Sequence, residues 1–196
     1  MRENQAADST SSYELILAAT RRAILKKGYG KLTLSAVAME AGVSRPTLYR
    51  WFPTRTHLFE ALTAYERSKF DEGLIRAIEA HRSPSRKLDS ALRYLVTYLD
   101  DSMGPDPIGV DPASALRSLT DFLPSQVESM VHALGASLDE VPTVRLGALS
   151  RGQIAEIFLR LAYSHYLIPH RNPEELLKTI RTLAGLSPRR TTKAGG

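Results

Sequence analysis

Between Thr33 and Phe59 the chain reads TLSAVAMEAGVSRPTLYRWFPTRTHLF, and no other stretch limits its fold so tightly. Leu34, Val37, Ala38 and Ala41 recur at spacings of three and four, which puts them on one face of a helix. Thr33 stands where a side-chain oxygen can accept an orphan N–H of that helix's first turn. Gly42 follows, where the chain must reverse and where a residue without Cβ takes a positive φ at no steric cost. Ser44 is a second cap, and Pro46 supplies a fixed φ near the start of the next helix, where no N–H is needed. Ala38 is small enough to let the two helices approach, with Val43 and Leu48 filling the angle between them. Thr54 caps a third helix that begins near Arg55. Cap, small residue, glycine and cap in this order predict a helix-turn-helix, the geometry that lays its second helix in the DNA major groove.

The outward side of that second helix has matching chemistry. At about 100° per residue, Leu48, Trp51 and Phe52 share an inward face. Pro46 and Arg50 point the other way, Thr47 and Tyr49 flank them, and Arg45 stands at the start. An arginine can bond a guanine edge through two donors, while threonine and tyrosine hydroxyls suit phosphate oxygens. On an arbitrary helix these side chains would be plain solvated surface; within this motif they read as DNA contacts. The helix start at Thr54 and Arg55 adds free N–H groups and a dipole that gather phosphate. Arg21, Arg22, Lys26, Lys27 and Lys31 precede the motif, and from residue 21 to residue 55 only Glu40 is acidic. That run is expected to be an electrostatic footprint for nucleic acid.

Residues 16–62, ILAATRRAILKKGYGKLTLSAVAMEAGVSRPTLYRWFPTRTHLFEAL, resemble the N-terminal domain of the TetR family of one-component transcriptional regulators. The likeness runs through Gly28-Tyr29, Thr33, Val37-Ala38, Gly42-Val43-Ser44, Leu48-Tyr49, Phe52 and Leu58-Phe59. It implies phosphate contacts for Thr33, Thr47, Tyr49 and Arg55, and base contacts for Arg45, Pro46 and Arg50, with Ser44 in the same DNA-facing set. Two positions depart from the family pattern: Arg55 stands for its usual lysine and His57 for its usual acid. Arginine preserves the phosphate role, and His57 makes the helix start less acidic. Beyond about residue 65 the resemblance ends.

The remainder of the chain predicts more helices and no sheet, giving an all-α protein in which a three-helix DNA-binding unit precedes a larger helical regulatory and dimerisation domain. The expected division is a polar disordered tail at 1–11, the DNA-binding domain at 12–55, the helical domain at 56–186 and a basic disordered tail at 187–196. Helices are expected over 13–27, 55–81 (with Gly73 placed to bend it), 85–102, 112–122 and 124–136, the last opened by Pro124. GPDPIGVDP at 104–112 reads as a loop. Ser150 and Gln153 form a capping-box pair ahead of IAEIFLRLAYSHYLI, and Pro169 stops that helix. Asn172, Pro173 and Glu175 start another, which Gly185 ends.

Composition narrows the function. Lys and Arg total 26 against 21 Asp and Glu, a modest net charge of +5. There is no cysteine, so disulfides and thiolate chemistry are excluded. No leader-like apolar segment opens the chain and no apolar run approaches the ~20 residues of a membrane span, so a cytoplasmic protein without membrane contact is expected. No metalloprotease, P-loop, nucleophile-elbow or dinucleotide signature occurs, and the 5 histidines lack metal-ligand spacing. No metal, cofactor or catalytic role is therefore expected. His165, beside Tyr163, reads as a core or interface histidine.

The expected function is sequence-specific transcriptional regulation by a homodimer on palindromic double-stranded DNA, most simply as a repressor released by a small apolar or amphipathic effector. An activator or ligand-independent DNA binder of the same fold is the alternative, with a helical enzyme or lipid carrier behind it. Phe70, Leu74, Tyr94, Tyr98, Leu119, Phe122 and Met130 are candidate lining for the effector, though each taken singly reads as core. Ile154, Ile157, Phe158, Leu161 and His165, with Leu176, Ile180 and Leu183, give the last two helices more apolar surface than one neighbour needs, and are candidates for the dimer interface.

Overall fold

The computed structural model describes residues 2–103, 111–168 and 173–186. Every regular element among them is helical: α1 (Arg2–Lys27), α2 (Leu34–Ala41), α3 (Arg45–Trp51), α4 (Arg55–Glu79), α5 (Pro84–Met103), α6 (Pro112–Leu134), a 3-10 helix (Gly135–Glu140), α7 (Pro142–Arg145), α8 (Arg151–Leu167) and α9 (Pro173–Leu183). None of these helices is long and apolar enough to cross a membrane. The chain divides into two compact units, Met1–Phe70 with Met103–Phe122, and Asp71–Ser102 with Leu123–Gly196.

In the first unit the core is built where the apolar spacing predicts. Ile16, Leu17, Ala19 and Ala23 of α1 are buried with Val37, Ala38 and Ala41 of α2, Leu48 and Phe52 at α3, and Leu58 and Leu62 of α4. Thr20 is buried among them, and its hydroxyl is satisfied by donating to the Ile16 carbonyl at 2.7 Å. Gly42 ends α2 at φ 67°, with its own N–H on Met39 O and the N–H of Val43 on Ala38 O. That pair of bonds is the Schellman arrangement, which satisfies two orphan carbonyls and turns the chain toward α3.

The second unit is held by α5, whose Leu88, Ala91, Leu92, Leu95, Val96 and Leu99 are buried, together with Met130, Leu138, Val141, Phe158, Leu159 and Leu177. Its polar ties are specific. Asp89 on α5 meets Arg181 of α9 at 2.6 Å and Arg93 at 3.4 Å. The Tyr163 hydroxyl of α8 donates to Gln126 Oε1 of α6, both residues being buried. Burial raises the Tyr163 phenol above its ordinary range, with Tyr98 adding to the effect. Ser150 and Gln153 make the expected reciprocal cap of α8, at 3.1 Å and 2.8 Å. Gly185, at φ 74°, ends α9 by the same two-bond device as Gly42.

Three expectations require correction. The polar stretch at 1–11 is not a separate tail, because α1 begins at Arg2. Arg2, Glu3, Gln5, Ala6 and Ala7 are good helix formers, and a missing apolar stripe speaks of solvation rather than of backbone conformation. Helices 112–122 and 124–136 are one helix, with Pro124 inside it. An interior proline costs about 3 kcal/mol, but burying Leu119, Met130 and Leu134 contributes about 1.5–3 kcal/mol each, so tertiary burial on both sides carries the helix through. Gly73 lies inside α4, where a Cβ would lie 2.6 Å from Tyr94 Cζ, so the glycine admits the Tyr94 ring against the backbone. The compact units also part between Phe70 and Asp71 rather than at 55/56, since α4 contributes Leu58, Leu62 and Phe70 to the first unit. The expected tail at 187–196, the stop at Pro169, the cap at Asn172 and most of the 104–112 loop lie outside the described residues.

Candidate nucleic-acid interface

The helix-turn-helix is assembled by short-range hydrogen bonds. Thr33 Oγ1 accepts the Ala36 N–H at 3.1 Å, capping α2. Ser44 Oγ accepts the Thr47 N–H at 3.2 Å and lies 2.8 Å from Thr47 Oγ1, capping α3. Thr54 Oγ1 accepts the His57 N–H at 3.2 Å and stands 3.0 Å from His57 Nδ1. His57 thus closes on the hydroxyl that caps α4, a use for the residue that the sequence pattern did not suggest.

With its ends fixed, α3 buries Leu48 completely and presents Arg45, Pro46, Tyr49 and Arg50 to solvent. Phe52 is buried and Trp51 half-buried, its ring edge-on to Tyr13 at 5.6 Å. Arg45 and Arg50 have no ion-pair partner among the described residues, so their donors stay available. Thr33 and Ser44 are exposed as well, but their hydroxyls already serve as caps. A capping hydroxyl can still contact a phosphate through its remaining hydrogen-bonding capacity.

The basic run behind the motif is less uniform than its sequence suggests. Glu40 receives Lys26 Nζ at 3.0 Å and Arg22 Nε at 3.3 Å. Those two hydrogen bonds hold its carboxyl below the usual carboxylate range. Arg21 lies 3.8 Å from Glu66 of α4, whose carboxyl is pushed up by burial and eased back by that arginine. Arg21, Arg22 and Lys26 therefore answer acids of their own chain, leaving Lys27, Lys31, Arg45 and Arg50 as the outward positive charge of this region. Arg55 is also partly engaged: its guanidinium donates to the Tyr29 carbonyl and lies 5.0 Å over the Phe59 ring.

The other candidate residues separate by burial. Phe70, Leu74, Leu119 and Met130 are buried, and Tyr94, Tyr98 and Phe122 half-buried. Phe70, Leu119 and Phe122 belong to the first unit; Leu74, Tyr94, Tyr98 and Met130 belong to the second. The Tyr94 and Tyr98 rings stand 5.5 Å apart, and burial first, then Tyr98, raises the Tyr94 phenol above its ordinary range. Among the candidate interface residues, Ile154, Phe158, His165 and Ile180 are buried within the single chain. The reason is helical phase: 154, 158, 162 and 165 form the inward row of α8. Ile157 and Leu161 flank that row, exposed and half-buried, and Ile168, part of the same expected apolar arc, is 81 % exposed. On α9, Leu183 is exposed and Leu176 half-buried.

Comparison with known proteins bears on the same elements. KstR of Mycobacterium tuberculosis, a helix-turn-helix transcriptional repressor, is 33% identical over 125 residues, which cover 62% of this chain and 55% of KstR. The chain thus matches about half the length of that relative. A TetR-like regulator from Rhodococcus sp. RHA1 superposes with a TM-score of 0.62 at 17% identity, over 89% of this chain and 93% of its own. AibR, solved with isovaleryl coenzyme A and operator DNA, superposes with a TM-score of 0.56 at 15% identity, over 88% and 97%. At such identities the two superpositions establish the fold. Residues 16–62, which hold all three caps, the α3 face and the Gly42 turn, match the tetR family of bacterial regulatory proteins.

Proposed function

We propose that the protein is a homodimeric transcriptional repressor that binds a palindromic operator through α3 and leaves it when a small apolar or amphipathic effector binds. The carrying observation is the outward face of α3, where Arg45 and Arg50 stand exposed without ion-pair partners on a helix capped at Ser44. Arg50, with Arg45 and Pro46, reads base edges. Tyr49, Thr47, Thr33 and the Arg55 helix start hold phosphates, which fix register without carrying sequence. Its place of action would then be wherever the chromosome is, the cytoplasm of a bacterial cell.

One recognition helix covers few base pairs, so specificity needs two half-sites about 34–36 Å apart or a multiple of that. Ile157, Leu161 and Ile168, with Leu176 and Leu183, are the exposed or half-buried apolar residues we assign to contact with a second copy of α8 and α9. AibR, solved with both a coenzyme A ester and operator DNA, supports an effector here too. In this chain the half-buried Tyr94 and Tyr98 and the buried Leu74 and Met130, all of the second unit, are the residues we assign to it. An effector must favour the DNA-incompetent arrangement; driving the population from 99:1 to 1:99 takes about 5.5 kcal/mol of differential affinity.

Selection of duplexes from a random pool by the intact chain tests this reading. A palindromic consensus is expected, bound with an affinity that falls steeply as salt rises. Recovery of no preferred sequence, or binding indifferent to salt, would remove it.

A further inference from the structure

The turn between α1 and α2 is gripped from two directions by residues outside it. On one side Arg55, at the start of α4, donates to the Tyr29 carbonyl, and the Phe59 ring lies 5.4 Å from the Tyr29 ring. On the other side stands Asp111, far along the chain. Its carboxylate Oδ2 accepts the Gly30 N–H at 3.4 Å, and its side chain presses so closely on Gly28 that a Cβ there would lie 2.8 Å from Asp111 Cβ. Gly28 is buried and held at φ 77°, so this is a close approach that only glycine permits. Asp111 is itself fixed, because its carbonyl accepts the Ala115 N–H at 2.9 Å and so starts α6. All these groups lie in the first unit, while α6 continues past residue 122 into the second.

We propose that Asp111 is a positioning residue for DNA binding: by holding the Gly28–Gly30 turn against the Arg55 grip, it sets the angle at which α1 hands the chain to the helix-turn-helix. It touches no DNA in this proposal and acts through the turn. The mode of action has an unusual electrical sign. An acidic side chain that is merely near a DNA-binding surface repels phosphate, so removing it should tighten binding. An acidic side chain that positions the surface does the opposite. The proposal rests on the reading of the unit as DNA-binding, but one of its readouts requires no DNA.

The experiment uses the full-length protein, a duplex selected by the wild type and an unrelated duplex of equal length, with Asp111→Ala and Asp111→Asn as variants. Amide exchange at Gly30 is read first, without DNA. It should quicken in Asp111→Ala and stay near wild type in Asp111→Asn, whose amide oxygen can still accept. Asp111→Ala should then bind the selected duplex about five- to tenfold more weakly, the worth of one hydrogen bond and its ordering effect. Its binding to the unrelated duplex and the salt slope should be unchanged, because the phosphate contacts are intact. Asn at 111 should restore binding to within about twofold. Tighter binding by both variants, an equal loss on both duplexes, or unchanged Gly30 exchange would each overturn the proposal. Should Asp111→Ala fold poorly, Asp111→Asn decides: Gly30 exchange and affinity should move together, and exchange that quickens with affinity unchanged overturns the proposal. A wild type that selects no duplex defeats the DNA reading instead, and the exchange result still stands or falls by itself.

Discussion

The α3 face of the first unit and the α8–α9 face of the second are built with opposite economies. On α3 Leu48 and Phe52 are turned in, and the outward residues are arginines, a proline, a tyrosine and capping hydroxyls. On α8 and α9 polar groups are turned in, Tyr163 on Gln126 and Arg181 on Asp89, while Ile157, Ile168 and Leu183 face out. A lone chain gains nothing from exposed isoleucines or from arginines without acids. Under the proposed function each face would meet a second molecule of complementary chemistry, a polyanion for one and an apolar surface for the other.

That contrast can be broken at several points. Phe158→Ala removes a ring fully enclosed in the second unit and should destabilise the protein by about 3–5 kcal/mol in urea titration. The fraction that remains folded should still dimerise. Ile157→Glu or Leu161→Glu should do the reverse, leaving the midpoint of a dilute sample near wild type while sedimentation finds monomers. Operator affinity should then fall by about two orders of magnitude, as two linked half-sites become one. If Phe158→Ala dissociated the dimer and Ile157→Glu did not, the assignment of faces on α8 would be inverted.

Arg50→Ala should cost about 1–3 kcal/mol on the preferred duplex and relax selection at one base position, whereas Tyr49→Phe should weaken binding to all sequences alike. Competition against single-base variants of the operator separates the two. Gly73→Ala probes the interior: its Cβ would collide with the Tyr94 ring, at about 1–3 kcal/mol for such overpacking. Combining it with Tyr94→Leu should recover part of the loss, since the two substitutions share one space. The smallest effect is expected at Glu66, whose carboxyl is raised by burial with Arg21 partly compensating. An acid with a raised folded-state pKa withdraws stability as pH rises through that value. Glu66→Gln should therefore gain on wild type at pH 7 and lose that advantage near pH 4, as paired thermal melts would reveal.

The two faces also differ in how far their sequence discloses them. The caps at Thr33, Ser44 and Ser150 and the glycine stops at 42 and 185 act within three to five residues, so a linear reading finds them. The outward set on α3 follows from the same local phase. Glu40 pairing with Lys26 and Arg22, Asp111 on Gly28 and Gly73 under Tyr94 join residues far apart in the chain, and no periodicity carries that information. Pro124 misled for a related reason: local propensity argues for a break, and burial on both sides argues for continuity. On α8 the apolar arc was visible, but only packing decides which half of it faces the chain's own core.

Glu40 has a bearing on how such a protein would find its site. A regulator must locate one sequence among about 10⁶–10⁹ competitors, and time spent adhering to each wrong one grows with the number of phosphates it neutralises. By keeping Lys26 and Arg22 occupied, Glu40 would lower that general stickiness in the proposed function without touching the arginines of α3. A single carboxylate on α2 would then act as a brake on loitering, trading raw affinity for a shorter search.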